Sequence, residues 1–191
     1  MALILASKSP RRQELLQRMG LTDFQILVPE ADESYPAGLT AEETVKYISR
    51  VKALAARELV SDEDIVITAD TMVFLDDQRL GKPKDEEDAL RMLTALQGRG
   101  HTVCTGVTVM QGDHIITEAE PTNVYFRTAT EAELRGYIAT GDPMDKAGAY
   151  GVQTIGALLV ERIDGDFFNV MGLPMLRLSR MLKEFGFHFF D

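Results

Sequence analysis

Two adjacent arginines lie at the start of a predicted helix, where an anion could bind. The motif Ser7-Lys8-Ser9-Pro10-Arg11-Arg12 follows a short apolar run, and Ser9 suits the N-cap while Pro10 suits the first helical position. Free backbone N–H groups and the helix dipole favour an anion at that end. Because the same dipole opposes arginines there, a phosphate would offset the penalty. The alternative is that Arg11 and Arg12 are solvated surface side chains.

Carboxylates at two places could bind a metal ion or activate water. Asp70 follows the apolar residues 65–69, and ligands of α/β sheets bind outside the carboxyl ends of strands. Hard carboxylate oxygens suit magnesium, although an aspartate after a strand also commonly caps a turn. Glu33 belongs to an acidic loop with Glu30 and Asp32, and such a cluster is usually a solvated surface.

Three further polar side chains could contact a nucleotide. Lys52, on a predicted helix, and Lys82, in Gly81-Lys82-Pro83, could each meet a phosphate oxygen, although single lysines are mostly solvated. Gln153 ends a glycine-containing segment and has the donor and acceptor that recognition of a base edge requires. A tight bend in which Gln153 bonds to the backbone is the structural alternative.

Other chemistries lack their motifs. The chain has no Gly-x-x-x-x-Gly-Lys-Ser/Thr loop, no Gly-x-Gly-x-x-Gly after a strand and no His-Glu-x-x-His. Its three histidines are scattered and Cys104 is the single cysteine, so a zinc site is not expected. Cys104 lies in a valine-rich run and is better interpreted as a small core residue than as a nucleophile.

Composition indicates a globular protein with an acidic surface. The chain has 191 residues, of which 45% are hydrophobic and 26% charged, enough for one substantial core or two small lobes sharing a sheet. The formal charge of −10 argues against binding long nucleic acid, although a small anion could still bind a local group of cations. With a single cysteine and no secretory segment, we expect a cytoplasmic protein. No apolar run approaches the ~20 residues needed to span a membrane, so we expect no membrane insertion.

The elements that must position these side chains alternate between strand and helix and then form a hairpin. Capping boxes at Thr40–Glu43 and Thr130–Glu133 mark two helix starts. Gly20 is expected to end the first helix in a left-handed conformation, Asp76-Asp77 to form a turn, and Gly112-Asp113 to join the two strands of the hairpin. The pattern predicts an α/β protein with α+β character, built on a mixed, twisted sheet with flanking helices. The predicted strands are 3–6, 24–28, 65–69, 102–110, 115–127 and 158–163. The strand over 65–69 is predicted to end at Asp70-Thr71 and to continue over 72–75. The predicted helices are 10–20, 41–59, 86–96, 131–140 and 174–185.

Five segments together resemble the Maf family in their order and spacing. The resemblance extends over essentially the whole chain, so it implies one Maf-like domain over residues 1–191. The segments are Ser7-Lys8-Ser9-Pro10-Arg11-Arg12, Ala69-Asp70-Thr71, Gly81-Lys82-Pro83, Asp145-Lys146-Ala147-Gly148-Ala149-Tyr150-Gly151-Val152-Gln153 and Asn169-Val170-Met171-Gly172-Leu173-Pro174.

The resemblance implies a fold and a reaction. The fold would be related to that of the inosine triphosphate pyrophosphatases, with two lobes around a cleft, and the protein would often form a homodimer. The reaction would be hydrolysis of a nucleoside triphosphate to the monophosphate and pyrophosphate, with Mg²⁺ or Mn²⁺ as the divalent cofactor. Ala69-Asp70-Thr71 and Tyr150-Gly151-Val152-Gln153 resemble the branch that acts on dTTP and UTP rather than the branch that acts on 7-methyl-GTP.

The resemblance also implies roles for single residues. Asp70 would be the general base that activates water, and both Asp70 and Glu33 would be metal-associated carboxylates. One departure is Thr154, because the family often has glycine after the glutamine. The phosphates would be surrounded by Ser7, Arg11, Arg12, Lys52 and Lys82, and Arg12, Thr71 and Gln153 would set specificity.

Two other functions share some of these features. A nucleotide-binding regulator without catalysis would fit the family's association with septum formation and cell-division arrest. It would not need both Asp70 at the α-phosphate and a metal carboxylate, so the enzyme is favoured. A nucleic-acid-binding protein is disfavoured by the charge of −10.

Overall fold

The computed structural model describes residues 1–190, in which seven strands and six α-helices follow one another along the chain. The strands are β1 (Leu3–Leu5), β2 (Gln25–Ile26), β3 (Ile65–Leu75), β4 (Gln78–Leu80), β5 (Gly100–Gln111), β6 (His114–Phe126) and β7 (Val160–Asp164). The helices are α1 (Pro10–Arg18), α2 (Ala41–Arg57), α3 (Glu86–Leu96), α4 (Glu131–Ile138), α5 (Phe167–Met171) and α6 (Met175–Lys183), with 3₁₀ helices over Asp142–Asp145, Ala147–Ala149 and Ile155–Leu159. Over these described residues, no helix is long and apolar enough to cross a membrane.

The strands form one mixed sheet, which confirms the predicted fold class. Their order is β2-β1-β3-β5-β6-β7, with β4 paired to β3. β1 runs parallel to both β2 and β3, whereas β4 runs antiparallel to β3 and β7 antiparallel to β6. The hairpin predicted around Gly112-Asp113 is present between β5 and β6.

The chain packs into two compact units. The first unit comprises residues 1–70, 105–120 and 172–190. The second unit comprises Thr71–Cys104 and Pro121–Met171. The interpretation of residues 1–191 as a single domain with two lobes stays a prediction.

Capping residues predicted from the sequence are found at several helix ends. Both predicted capping boxes are present, since Thr40 and Thr130 each accept a hydrogen bond from the backbone N–H three residues later and the glutamate there reaches back. Gly20 adopts the left-handed φ of 83° that was expected where α1 ends. Ser9 is the N-cap residue of α1, but its own N–H donates to Ser7 Oγ at 3.2 Å.

The predicted continuation of the strand over 72–75 is confirmed, whereas the predicted end at Asp70-Thr71 is wrong. β3 runs without interruption because its first residues pair with β1 and its last residues pair with β4, so it changes partner without a turn. Asp70 therefore lies inside a strand and does not cap one. The chain turns where expected, at Asp76-Asp77, and continues into the unpredicted β4. The unpredicted α5 has only five residues, too few to show a helical period.

Helix α2 lies directly on β3 in the first unit. Strand residues two apart share a face, and helix residues three or four apart share a side. Val66 accordingly packs with Ala53 and Ala56, and Thr68 Oγ1 donates to the Ser49 carbonyl at 2.6 Å. Asp70, two residues after Thr68, is the next side chain on this face of β3. It lies beside Lys52 of α2.

Gly106 in β5 allows α2 to approach the sheet this closely. A Cβ atom at Gly106 would lie 2.1 Å from the carbonyl oxygen of Val45 in α2. Nearby, the hydroxyls of Ser49 and Thr108 are hydrogen-bonded at 3.0 Å. The role of Gly106 was not predictable from the sequence, because a lone glycine in a strand pattern does not show which backbone passes over it.

We expect Gly106→Ala to destabilise the protein by about 3 kcal/mol or more, because neither contacting backbone can move without displacing a whole element. The measurement is chemical denaturation of both proteins. Gly136→Ala is the matched control, since Gly136 lies in α4 and a Cβ there meets nothing within 4 Å. The control should gain about 0.5 to 1 kcal/mol from helix propensity. Equal stability of the two variants would contradict the close-approach argument.

Candidate active site

Lys52 connects two carboxylates in the first unit. Its Nζ lies 2.8 Å from Asp70 Oδ1 and 3.3 Å from Glu33 Oε2. The side chains of Lys52 and Asp70 are 17% and 10% exposed, whereas that of Glu33 is 57% exposed. The inner ion pair is therefore desolvated, and the outer one is open to water.

Asp70 has one carboxylate oxygen engaged and one available. Oδ1 accepts the hydrogen bond from Lys52. Oδ2 is buried and has no hydrogen-bond partner within residues 1–190. Buried acceptors in proteins are nearly always satisfied, so an oxygen of this kind fits a bound water or a cation.

Arg12 is held beside this group by its own contacts. Its Nη1 donates to Ser7 Oγ at 3.2 Å and its Nε donates to the Gly172 carbonyl at 2.8 Å. Burial lowers the pKa of the Arg12 guanidinium; Asp70 raises that pKa, and Arg11 lowers it further. The group stays protonated because an arginine does not lose its proton in proteins. Arg12 is thus a charged donor that is held in place by two acceptors, the Ser7 hydroxyl and the Gly172 carbonyl.

These residues, which the family resemblance implied as site residues, lie near one another in the first unit and form what we call the first cluster. The backbone leaves β1 at Leu5 and reaches Ser7 just before α1, so the parallel pairing of β1 with β3 determines where this loop begins. The Gly172 carbonyl was not predicted as a contact, although it lies inside one of the five recognised segments. The members of the first cluster are Ser7, Arg11, Arg12, Glu33, Lys52 and Asp70.

The remaining predicted residues belong to the second unit, where two of the five segments meet beside β3. Gly148 N donates to the Gly81 carbonyl at 3.1 Å, and a Cβ at Gly148 would lie 2.7 Å from Val73. Val73 shares its face of β3 with Thr71, two residues earlier. Thr71 is half-buried, while Lys82 and Gln153 are exposed. Thr71, Lys82 and Gln153 therefore belong to the second unit and not to the first cluster.

The chain is similar to known proteins over nearly its whole length. The sequence profile of the family described as Maf-like protein matches residues 2–185. The chain belongs to the Maf-like protein family. Two relatives of this Maf-like chain are named dTTP/UTP pyrophosphatase. The one from Caldicellulosiruptor bescii is 44% identical over 97% of this chain and 95% of its own. The one from Pelotomaculum thermopropionicum is 46% identical over 97% of each chain.

A solved structure resembles the Maf-like chain in fold. The Staphylococcus aureus Ham1 protein is 13% identical and superposes with a TM-score of 0.53, covering 98% of this chain and 100% of that one. At this identity the likeness concerns the fold alone. It confirms the expected fold class.

A buried histidine supports the segment that carries Gln153. His101 Nε2 is hydrogen-bonded to Tyr150 Oη at 2.8 Å, and its ring packs edge-on against Phe126 at 5.0 Å. His101 Nδ1 is buried without a hydrogen-bond partner within residues 1–190. Burial lowers the pKa of His101 from 6.5 to about 4. The imidazole is therefore neutral in the folded protein at neutral pH.

We expect His101 to make the protein less stable in acid. Because the pKa in the folded state is about 4 and the ordinary value is 6.5, the unfolded chain binds the proton first as the pH falls. The free energy of unfolding should decline through this window by about 3 kcal/mol from this group alone. Denaturation of wild type and His101→Gln, which keeps a partner for Tyr150, should show a flatter pH dependence in the variant. Parallel pH profiles would contradict the assignment.

Proposed function

We propose that this Maf-like protein is a nucleoside triphosphate pyrophosphatase that hydrolyses dTTP and UTP to the monophosphate and pyrophosphate. The relatives with that name support the reaction and the substrates. The observation that carries the proposal for this chain is the Asp70 carboxylate. One of its oxygens is held by Lys52, and the other is buried with no hydrogen-bond partner within residues 1–190.

Asp70 is proposed to act as the general base. With Oδ1 fixed by the lysine, Oδ2 would accept a hydrogen bond from a water and then its proton. The water oxygen forms a bond to the α-phosphorus while the bond from that phosphorus to the α–β bridging oxygen breaks, and pyrophosphate departs. Such a reaction depends mostly on positioning and on stabilisation of charge.

The cationic side chains are proposed to bind the phosphates. Arg12 suits this role because its hydrogen bonds to Ser7 and Gly172 leave a charged group already oriented before substrate binds. Lys52 would contribute a point charge next to the base. Arg11, in the first turn of α1, and the exposed Lys82 are assigned to the same task by the family resemblance.

The acidic side chains fit a divalent cation. No group of three His, Cys, Asp or Glu side chains forms a metal centre within residues 1–190. Magnesium is often held by one or two carboxylates together with substrate phosphates, and Glu33 and Asp70 supply hard oxygen donors of that kind. These two residues would hold Mg²⁺ or Mn²⁺, which when bound would neutralise phosphate charge.

Gln153 and Thr71 are proposed to select the base, together with Arg12. Thymine and uracil present the same edge, a carbonyl acceptor beside an N–H donor. An amide side chain offers the complementary donor and acceptor, and the Gln153 side chain is exposed. The cytoplasmic location, the homodimer and the lack of a nucleic-acid partner stay predictions. The alternative is a nucleotide-binding regulator that does not turn its ligand over.

The reaction and its substrates can be tested by product analysis. Purified protein with Mg²⁺ or Mn²⁺, and with a chelator as control, would be incubated with each common nucleoside triphosphate, methylated pyrimidine nucleotides and 7-methyl-GTP. We expect monophosphate and pyrophosphate, chiefly from dTTP and UTP, and no product with chelator. Diphosphate and orthophosphate would refute attack at the α-phosphorus. Binding without any product would favour the regulator.

The role of Asp70 can be tested by Asp70→Asn, which keeps the size of the side chain and an acceptor for Lys52. We expect kcat to fall about 10³-fold while the melting temperature changes little, because the amide cannot accept the proton. Glu33→Gln is the matched control. Its activity should recover in part at higher Mg²⁺, whereas that of Asp70→Asn should not. Near wild-type turnover in Asp70→Asn would remove Asp70 from the base role.

A further inference from the structure

The backbone before and after Gln153 is tied to a group of hydrogen bonds centred on Asp142. Asp142 Oδ2 accepts hydrogen bonds from Thr154 Oγ1 and from Tyr137 Oη, each at 2.6 Å. Asp142 Oδ1 lies 3.2 Å from Lys146 Nζ. We call these four side chains the Asp142 network. Hydrogen bonds to an ionised acceptor are among the stronger ones in proteins, so the network is a firm anchor.

The Asp142 network binds both the backbone N–H and the backbone carbonyl of Gly151. Gly151 N donates to Tyr137 Oη at 3.1 Å, and the Gly151 carbonyl lies 3.1 Å from Thr154 Oγ1. Gly151 and Thr154 are therefore anchored by hydrogen bonds. Of the two residues between them, Val152 is buried and Gln153 is exposed.

There is no space beside this turn for a side chain at Gly151 or at Gly156. A Cβ at Gly151 would lie 2.4 Å from Thr154 Oγ1. A Cβ at Gly156 would lie 2.5 Å from Tyr137 Oη and 2.6 Å from the Gly151 carbonyl. The hydroxyls of Thr154 and Tyr137 thus occupy the space that side chains at the two glycines would need.

The charge state of the network is fixed by the same contacts. Partial burial would raise the pKa of Asp142, but hydrogen bonds from Thr154, Tyr137 and Lys146 outweigh it and lower that pKa. Burial raises the pKa of the Tyr137 hydroxyl, and Asp142 raises it further. Asp142 is therefore an ionised acceptor and Tyr137 a neutral donor at neutral pH.

We propose that Thr154 is a positioning residue for base recognition, and that its hydroxyl, through Asp142, holds Gln153 in the orientation that meets the pyrimidine. This inference rests on the proposed function, in which Gln153 reads the base. Ordering the turn before substrate binds removes an entropic cost from binding.

The test compares Thr154→Val, which keeps the shape and loses the hydroxyl, with Thr154→Ser, which keeps the hydroxyl. The measurements are kcat and KM for UTP and for CTP, with melting temperatures as a control on folding. If the turn adopts its binding orientation only about a tenth of the time without the hydroxyl, KM for UTP rises about tenfold in Thr154→Val. We expect kcat to fall by much less, and Thr154→Ser to retain the UTP preference.

Gln153→Ala and the double variant Thr154→Val/Gln153→Ala complete the design. We expect Gln153→Ala to raise KM for UTP and to erode the preference over CTP, and the double variant to be no worse than Gln153→Ala, because the hydroxyl acts only through Gln153. Fully additive losses, or a lower melting temperature in Thr154→Val with KM unchanged, would overturn the positioning role while Gln153 keeps its own. An unchanged preference in Gln153→Ala would overturn base reading and the positioning role together.

Discussion

The ion pair between Lys52 and Asp70 is the interaction on which the first cluster depends. Removing both charges from water is costly, and the pair is stable only if its geometry is fixed and its remaining polar atoms are used. The geometry comes from α2, which lies on β3 through the Thr68–Ser49 hydrogen bond and approaches β5 at Gly106. The chemistry proposed for Asp70 thus relies on a contact between the backbones of α2 and β5 that involves none of the proposed catalytic side chains.

The balance of charge in the first cluster follows from this pair. Asp70 and Glu33 are matched by Lys52 and Arg12, so the four groups together are close to neutral, and Arg11 adds a further positive charge. Asp70 and Glu33 raise the pKa of Arg12 and Arg11 lowers it, so Arg11, Arg12, Glu33 and Asp70 share one electrostatic environment. A protein with a formal charge of −10 can therefore still offer an anion a locally favourable surface.

Features encoded within a few residues were predictable, and those that depend on distant contacts were not. The capping boxes at Thr40 and Thr130 and the hairpin turn at Gly112-Asp113 each need only neighbouring residues, and all are present. The end predicted at Asp70-Thr71 was wrong because β3 pairs with β4 beyond that point and so continues without a break. The ties of Tyr137 to the turn were missed as well, since an aromatic residue on an amphipathic helix has the same pattern whether or not its hydroxyl has a partner. The members of the candidate site came from the joint order of weak motifs rather than from any single residue.

The unequal exposure of the two carboxylates on Lys52 has a consequence for ionic strength. Charges open to water are weakened by dissolved salt over distances of about 8 Å at physiological concentration, whereas buried pairs are affected much less. Glu33 is 57% exposed and Asp70 only 10%, so added salt loosens the outer partner and leaves the inner one in place. Asp70 is thus the permanent counter-ion of Lys52, and Glu33 is an exchangeable one. An incoming anion can compete with Glu33 for the ammonium group of Lys52.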